Sequence, residues 1–435
     1  MEVLKFDLNK KAGDFQIMNA TNGGPWHKRH ATDQYRSNFK DYKAVGFPYS
    51  RNHDSGVNGI YGGPYSHDIS KIFRNFDADE NDPASYDFAC TDESILCCLE
   101  AGTETFFRLG ETIEHQIKKH ATLPPADFHK WARICEHIIR HYNEGWADGF
   151  NLNMQYWEIW NEPDLDDDDS TNKRTWGGTK LQFFDMYEIT AKHLKKCFPH
   201  LKIGGPAHAW NLEWSAEFLA EMKKRGVEID FYSWHGYWTS PEKMLEKAAT
   251  VKKHLLDNGY EKAESILNEW NYVRGWTEDF QYSINTIHGI KGAAFMLAMI
   301  ISGQKSPCVD MMMYYDTRPG VFCGVFDLYD YHKLKGYYPL YWYSKFYGLT
   351  EVRCEEDPDN IYSLCGVDEN GKILCAISNY YETDERERNI ALDFARGGKF
   401  EVYLLDETHD AQLVDTTEKL EFTMKPNTCL FIKEV

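Results

Sequence analysis

The sequence has few of the features that announce a cofactor, a disulfide framework or a membrane. Its eleven cysteines include no C-x-x-C pair, and two of them, Cys97 and Cys98, are adjacent. An odd count without paired spacing reads as free thiols in a reducing compartment, not as a bridged or zinc-bound scaffold. Positive charge is short as well. With 48 Lys+Arg against 68 Asp+Glu the net charge is −20, which argues against nucleic acid or an anionic membrane as a partner. No apolar run reaches the roughly 18 residues needed to cross a bilayer; residues 289–302 come nearest. The first residues, Met1-Glu2-Val3-Leu4-Lys5-Phe6-Asp7, carry no basic-then-apolar leader, so a cytoplasmic location is the expectation. A phosphate loop, a nucleophile elbow and a Rossmann glycine turn are missing too. His137 and His141 have metalloprotease spacing, but Ile138 stands where that chemistry needs its glutamate. Neither a metal nor a cofactor is expected, and a homo-oligomer is left open.

What is present is a strict alternation. Eight short apolar runs, at residues 16–20, 44–51, 105–109, 155–160, 202–205, 231–235, 265–268 and 309–315, read as strands. Amphipathic stretches follow them, at 33–43, 91–100, 127–142, 182–196, 215–225, 241–258, 283–301 and 339–348. Within them apolar side chains recur three and four apart, as in Phe184, Tyr187, Ala191 and Leu194, which stacks them on one helix face. Eight strand-then-helix units predict a parallel (β/α)8 barrel over residues 15–349. Beyond residue 350 the texture becomes short β-rich runs (361–367, 373–379, 390–394, 400–405, 420–424, 429–432) split by turns such as Glu369-Asn370-Gly371. They predict an antiparallel β-sandwich over 350–435, which the strand-like residues 3–8 within the first 14 would join.

In such a barrel reactive groups belong at the C-terminal ends of the strands. The fourth run ends Trp157-Glu158-Ile159-Trp160-Asn161-Glu162-Pro163 and the seventh Leu267-Asn268-Glu269-Trp270-Asn271. Each delivers a glutamate flanked by Trp and Asn where the chain leaves the sheet. Paired carboxylates facing one cleft are the machinery of glycoside hydrolysis, one protonating the leaving oxygen and one attacking the anomeric carbon. Strand alternation aims Glu158 into the barrel, as a structural carboxylate. Aromatics make up 15% of the chain, and Trp160, Trp210, Trp238, Trp270 and Trp276 fall at or just after strand ends, where their faces suit sugar rings. The acidic run Asp164-Leu165-Asp166-Asp167-Asp168-Asp169 lacks the spacing of a calcium loop and reads as solvated. Arg318 is placed either to bind a uronate or sulfate or to pair with Asp316 or Asp327.

These motifs, with Asp230-Phe231-Tyr232-Ser233-Trp234-His235-Gly236-Tyr237 between them, resemble the clan of retaining barrel glycosidases and, within it, glycoside hydrolase family 39, which holds β-xylosidases and α-L-iduronidases. Arg51-Asn52-His53-Asp54, Tyr86-Asp87-Phe88, Gly204-Gly205-Pro206-Ala207, Tyr315-Asp316 and Phe322-Cys323-Gly324-Val325-Phe326 extend the resemblance over most of the barrel. It implies a retaining, exo-acting hydrolase on an oligosaccharide or glycoside, with Glu162 as acid/base and Glu269 as nucleophile. Asn161 would hold the sugar 2-hydroxyl, His53, Asp54 and Asp316 would line the sugar site, and His235 and Tyr237 would stand beside the nucleophile, Tyr237 donating to it. Asn268 occupies a position where the family usually has Thr. A carbohydrate-binding protein without turnover, or a transglycosidase, would use the same cleft.

Overall fold

The computed structural model describes residues 1–25, 37–52, 67–383 and 386–435. After β1 (Glu2–Asp14), eight parallel strands close a barrel: β2 (Ile17–Asn22), β3 (Tyr49–Asn52), β4 (Glu104–Leu109), β5 (Tyr156–Ile159), β6 (Lys202–His208), β7 (Phe231–Trp238), β8 (Glu264–Tyr272) and β9 (Met311–Tyr314). Eight further strands follow: β10 (Thr350–Cys354), β11 (Ile361–Val367), β12 (Ile373–Asn379), β13 (Arg388–Asp393), β14 (Phe400–Leu405), β15 (Asp410–Thr417), β16 (Glu421–Met424) and β17 (Thr428–Glu434).

The two-residue period of a strand decides what fills the barrel. On β4, Phe106 faces inward and Phe107 and Leu109 outward; on β5, Tyr156 faces inward and Trp157 and Ile159 outward. Phe106, Tyr156, Phe231, Ile266, Met311, Met313 and Ala20 form a plug across the barrel. Phe106 packs on Tyr156 at 5.0 Å and on Phe231 at 5.2 Å between ring centres. The next inward positions toward the C-terminal ends, Arg108 and Glu158, are charged. The apolar plug is thus the floor on which a polar layer rests.

The second sheet runs β15-β14-β17-β12-β11-β10-β1-β13-β16 and is antiparallel except where β1 lies parallel to β13. It curls on itself around a core of its own, which is the sandwich-like C-terminal domain expected from the sequence. Phe394, just past β13, stacks on Phe6 of β1 and on Phe400 of β14, closing a separate core around Leu4, Val352, Ile377 and Ile432. Strand β15 escaped the sequence reading because it is an edge whose side chains are nearly all exposed.

The helix expected over 283–301 is two helices, Phe280–His288 and Ile290–Lys305, meeting at 80°. Gly289 between them is extended, with φ −97° and ψ −176°. A Cβ on Gly292 would stand 2.4 Å from the Thr286 carbonyl oxygen and 2.6 Å from that of Ile287, so only glycine lets the second helix sit on the end of the first. Among the described residues no single helix is long and apolar enough to cross a membrane; Ile290–Lys305 is buried between barrel and sheet. Gly292→Ala is expected to destabilise the protein by about 1–3 kcal/mol, as overpacking against backbone does. A thermal unfolding midpoint equal to that of the unaltered protein would contradict this account of the bend.

Candidate active site

Above the plug, the polar layer is organised by Arg51 at the end of β3. Its guanidinium is fully buried and all three of its nitrogens are used. Nε donates to Glu158 Oε2 at 2.6 Å, Nη1 to Glu269 Oε1 at 2.7 Å and Asn22 Oδ1 at 3.2 Å, and Nη2 to Asn161 Oδ1 at 2.6 Å. Burial opposes the charge, but Glu158 and Glu269 outweigh it and hold the guanidinium above its ordinary pKa. Glu158 Oε1 accepts from Asn268 Nδ2 at 2.5 Å, so Asn268 serves the structural carboxylate. Arginine offers only donors, so the Asn161 atom facing it is the oxygen and its NH2 is directed elsewhere.

Both candidate catalytic glutamates are delivered by departures from regular backbone. Along β8, Ile266 faces the plug while Leu267 and Trp270 face the outer core. Strict alternation from Leu267 would turn Glu269 outward. The register against both neighbours slips by one residue here, Leu267 pairing with Trp234 and Met312 but Glu269 with His235 and Trp270 with Tyr314. The bulge lets Asn268 and Glu269 both point inward. After β5, Trp160 and Glu162 adopt φ of +72° and +48°, left-handed values that cost side-chain-bearing residues of order 1–3 kcal/mol each. Glu162 N–H is tied to the Ala207 carbonyl at 2.9 Å and its own carbonyl accepts from Thr175 Oγ1 at 2.6 Å, which fixes the turn.

The two carboxylates meet across His235, with one oxygen of each and the histidine nitrogen all within 4.8 Å of one another. His235 Nδ1 lies 2.7 Å from Glu162 Oε1 and 3.4 Å from Glu269 Oε2, and Tyr237 Oη donates to Glu269 Oε2 at 2.8 Å. Burial pulls His235 down to about 4, so it is neutral at ordinary pH. Glu162 is pushed up to about 8, first by burial and then by the nearby charge of Asp164. Burial also raises Glu269, and the charge of Glu162 adds to the rise, while Arg51 and the Tyr237 hydroxyl oppose it. Of the pair, Glu269 ionises first and Glu162 keeps its proton.

Glu162, Glu269, Asn161, His235 and Tyr237 are therefore brought together; His53 and Asp54 lie outside the described residues. The two tryptophans expected to contact sugar are placed otherwise. Trp160, 1% exposed, is wedged against Trp176 and Trp131 with Nε1 on the Thr175 carbonyl, and Trp270, 0% exposed, packs on Tyr314. Outward-facing backbone positions carry both. Trp210 and Trp276 are instead 59% and 55% exposed, and Trp276 meets Tyr237 edge-on at 5.0 Å. Arg318 is folded back on the buried Asp316, its Nη2 at 2.6 Å and Nε at 2.9 Å from Oδ2, one of the pairings left open by the sequence. Nor is the acidic run wholly solvated. Asp164 is buried and Asp166 forks onto Arg174, leaving Asp167, Asp168 and Asp169 exposed.

Comparison with known proteins bears on the family and the fold. The model of the family described as glycosyl hydrolases family 39 matches residues 6–319. A beta-xylosidase of Geobacillus stearothermophilus is 26% identical over 328 residues, 67% of this chain and 60% of that protein. A beta-xylosidase of Caldicellulosiruptor saccharolyticus is 28% identical over 281 residues, 60% of this chain and 53% of that protein. The chain thus spans under two thirds of the length of the relatives it matches. Among solved structures, a glucosidase from Croceicoccus marinus superposes with a TM-score of 0.77 at 22% identity, covering 100% of this chain and 98% of that one. A GH39 beta-xylosidase from Caulobacter crescentus gives 0.70 at 17% identity, covering 100% of both chains. At those identities the structures speak for the fold alone, and the family model carries the assignment: this chain belongs to glycosyl hydrolases family 39.

Proposed function

We propose that the protein is a retaining glycoside hydrolase that removes single sugars from the end of a β-xyloside or a related oligosaccharide. One observation carries the mechanism: oxygens of Glu162 and Glu269 lie within 4.8 Å of one another around a shared His235 nitrogen. Retaining enzymes hold their carboxyl groups about 5–5.5 Å apart, whereas inverting ones need about 6.5–9.5 Å to admit a water. The name beta-xylosidase carried by the two relatives supports the sugar class.

In this reading Glu269, ionised and aligned by Arg51 and Tyr237, attacks the anomeric carbon while Glu162 gives its proton to the leaving oxygen. Glu162, now a carboxylate, takes a proton from the water that cleaves the glycosyl-enzyme and so returns to its starting state. Arg51 fixes the Asn161 oxygen, which leaves the amide NH2 to donate to the sugar 2-hydroxyl, a bond that strengthens as the anomeric carbon gains positive charge.

Glu269→Ala should abolish turnover, and azide should restore it with formation of a glycosyl azide of inverted configuration; rescue of a Glu162 variant alone would exchange the two roles. Reducing-end-labelled xylo-oligosaccharides should shorten by one sugar at a time, and release of internal fragments would refute exo action.

Glu162→Gln should lower kcat/KM by about 10²–10⁴-fold on a poor leaving group and far less on an activated aryl glycoside. It should also alter the pH dependence of stability. The carboxyl ionises at an ordinary 4.5 in the unfolded chain and near 8 in the fold, so the folded state holds an extra proton between those values. Stability therefore falls as pH rises across that window. The unfolding midpoint of Glu162→Gln relative to the unaltered protein should rise between pH 5 and pH 8.5, and a constant difference would show that Glu162 titrates normally.

Arg51→Lys keeps one charge but cannot reach Glu158, Glu269 and Asn161 together. A drop in kcat of at least about 10²-fold is expected, and near-normal kcat would show that the fork is dispensable.

A further inference from the structure

Glu162 is surrounded by more charge than the reaction uses. From β7 it faces His235, from β8 Glu269 and from β3 Arg51; Arg174 and Asp164 stand in the segment after β5, and Lys247 on the helix Pro241–Asp257. Arg51 is bonded to Glu269, the neutral His235 is shared between the two carboxylates, and Arg174 is committed to Asp166 through four short contacts of 2.7–3.1 Å. Asp164 and Lys247 remain. Neither is hydrogen-bonded to Glu162; Asp164 follows it by two residues in the chain, and Lys247 reaches the carbonyl of His235, whose ring meets Glu162.

Asp164 is buried, and its carboxylate is gripped by consecutive backbone amides: Ala209 N–H at 2.7 Å, Trp210 N–H at 2.9 Å and Asn211 N–H at 2.9 Å. His208 Nε2 lies 3.5 Å away, but burial pulls that histidine down to about 4, so it brings no positive charge at neutral pH. Lys247 donates to the Ala209 carbonyl at 2.7 Å and to the His235 carbonyl at 2.8 Å. The Ala209 residue thus carries the anion on its N–H and the cation on its carbonyl, and the His235 carbonyl ties the cation to the residue whose ring touches Glu162. Charges fixed in a buried site act on a neighbour far more strongly than solvated ones. A buried anion two residues from Glu162 raises its proton affinity, and a cation tied to the backbone of His235 lowers it.

We propose that Asp164 and Lys247 are positioning residues that act with opposite sign on the proton of Glu162, and so set the upper pH limit of the acid step. The proposal rests on the reading of Glu162 as the acid/base. Lys247 is itself lowered to about 8 by burial, in the range where Glu162 ionises, so the alkaline limb belongs to the two groups together.

The test follows the proton directly and through activity. The carboxyl carbon of Glu162, assigned by its loss from the 13C spectrum of Glu162→Gln, is titrated in the full chain. In parallel the alkaline limb of kcat/KM is measured on a glycoside with a poor leaving group. Asp164→Asn should move both midpoints down by about one unit, and Lys247→Met should move both up by a similar amount. Lys247→Arg, which keeps the charge at pH values where Lys247 loses it, should leave both midpoints at or below those of the unaltered protein. Midpoints that stay put in both variants, or move in the same direction, overturn the proposal, as does a Lys247→Arg limb matching that of Lys247→Met. If the 13C midpoints separate as expected while no glycoside is cleaved, the charge device stands and the hydrolase reading falls. Cleavage with an unmoved limb has the reverse meaning.

Discussion

A single buried guanidinium holds the site together. From β3, Arg51 reaches the end of β5 and β8, with partners 107, 110 and 218 residues away in Glu158, Asn161 and Glu269. Two carboxylates and one cation taken from water are rarely worth their desolvation as a stabilising device, and removing the cation alone would strand the anions at a cost of about 3–5 kcal/mol. What the arrangement provides is position. A planar fork with fixed donor directions allows one geometry for Glu269 and one orientation of the Asn161 amide, and Glu158, bound also by Asn268, stops the fork from swinging.

That polar layer depends on what lies beneath it. The aromatic and methionine plug seals the barrel below Arg51 and Glu158 and keeps water from the underside of the ion pairs. Above it the strands lose regularity where chemistry begins. A bulge turns Glu269 inward, and left-handed backbone at Trp160 and Glu162 turns the second carboxylate toward the first. The plug supplies hydrophobic free energy and the ends of β5 and β8 spend part of it on strain, the division expected when function sits on a rigid scaffold.

The same division governs what could be read from the sequence. All eight barrel strands were legible because their apolar runs alternate with helical periods, and Glu162 and Glu269 because their Trp-Asn surroundings repeat on two strands. Strand ends were less so: β6, β7 and β8 continue to His208, Trp238 and Tyr272, past the positions where apolar character gives way to polar and aromatic side chains. Arg51 was visible as part of a motif but not as a hub, since nothing local marks partners so far away in sequence. Asp164 could not be told from its solvated neighbours, because burial of one member of an acidic run is decided by the loop 209–211 that folds over it. Trp160 and Trp270 misled for a related reason. A tryptophan beside a catalytic glutamate looks like a sugar platform, but the left-handed turn and the bulge that bring the glutamates in leave these rings in the core.

The two glutamates start from the same chemistry and are both largely buried, yet the proposed mechanism needs them to behave oppositely, one keeping a proton and the other shedding it. Burial alone raises both and separates neither. The difference comes from what each carboxylate touches. Glu269 receives a full positive charge from Arg51 and a phenol hydrogen from Tyr237, both of which favour the anion. Glu162 is met by a neutral imidazole and, two residues on, by a second carboxylate that favours the acid. His235 spans the pair with one nitrogen and, being neutral, adds no net charge to either side, so the asymmetry set by Arg51 on one flank and Asp164 on the other is not averaged away. In the proposed mechanism acid and nucleophile are thus distinguished before any substrate arrives, by neighbours whose own positions are fixed by backbone and barrel.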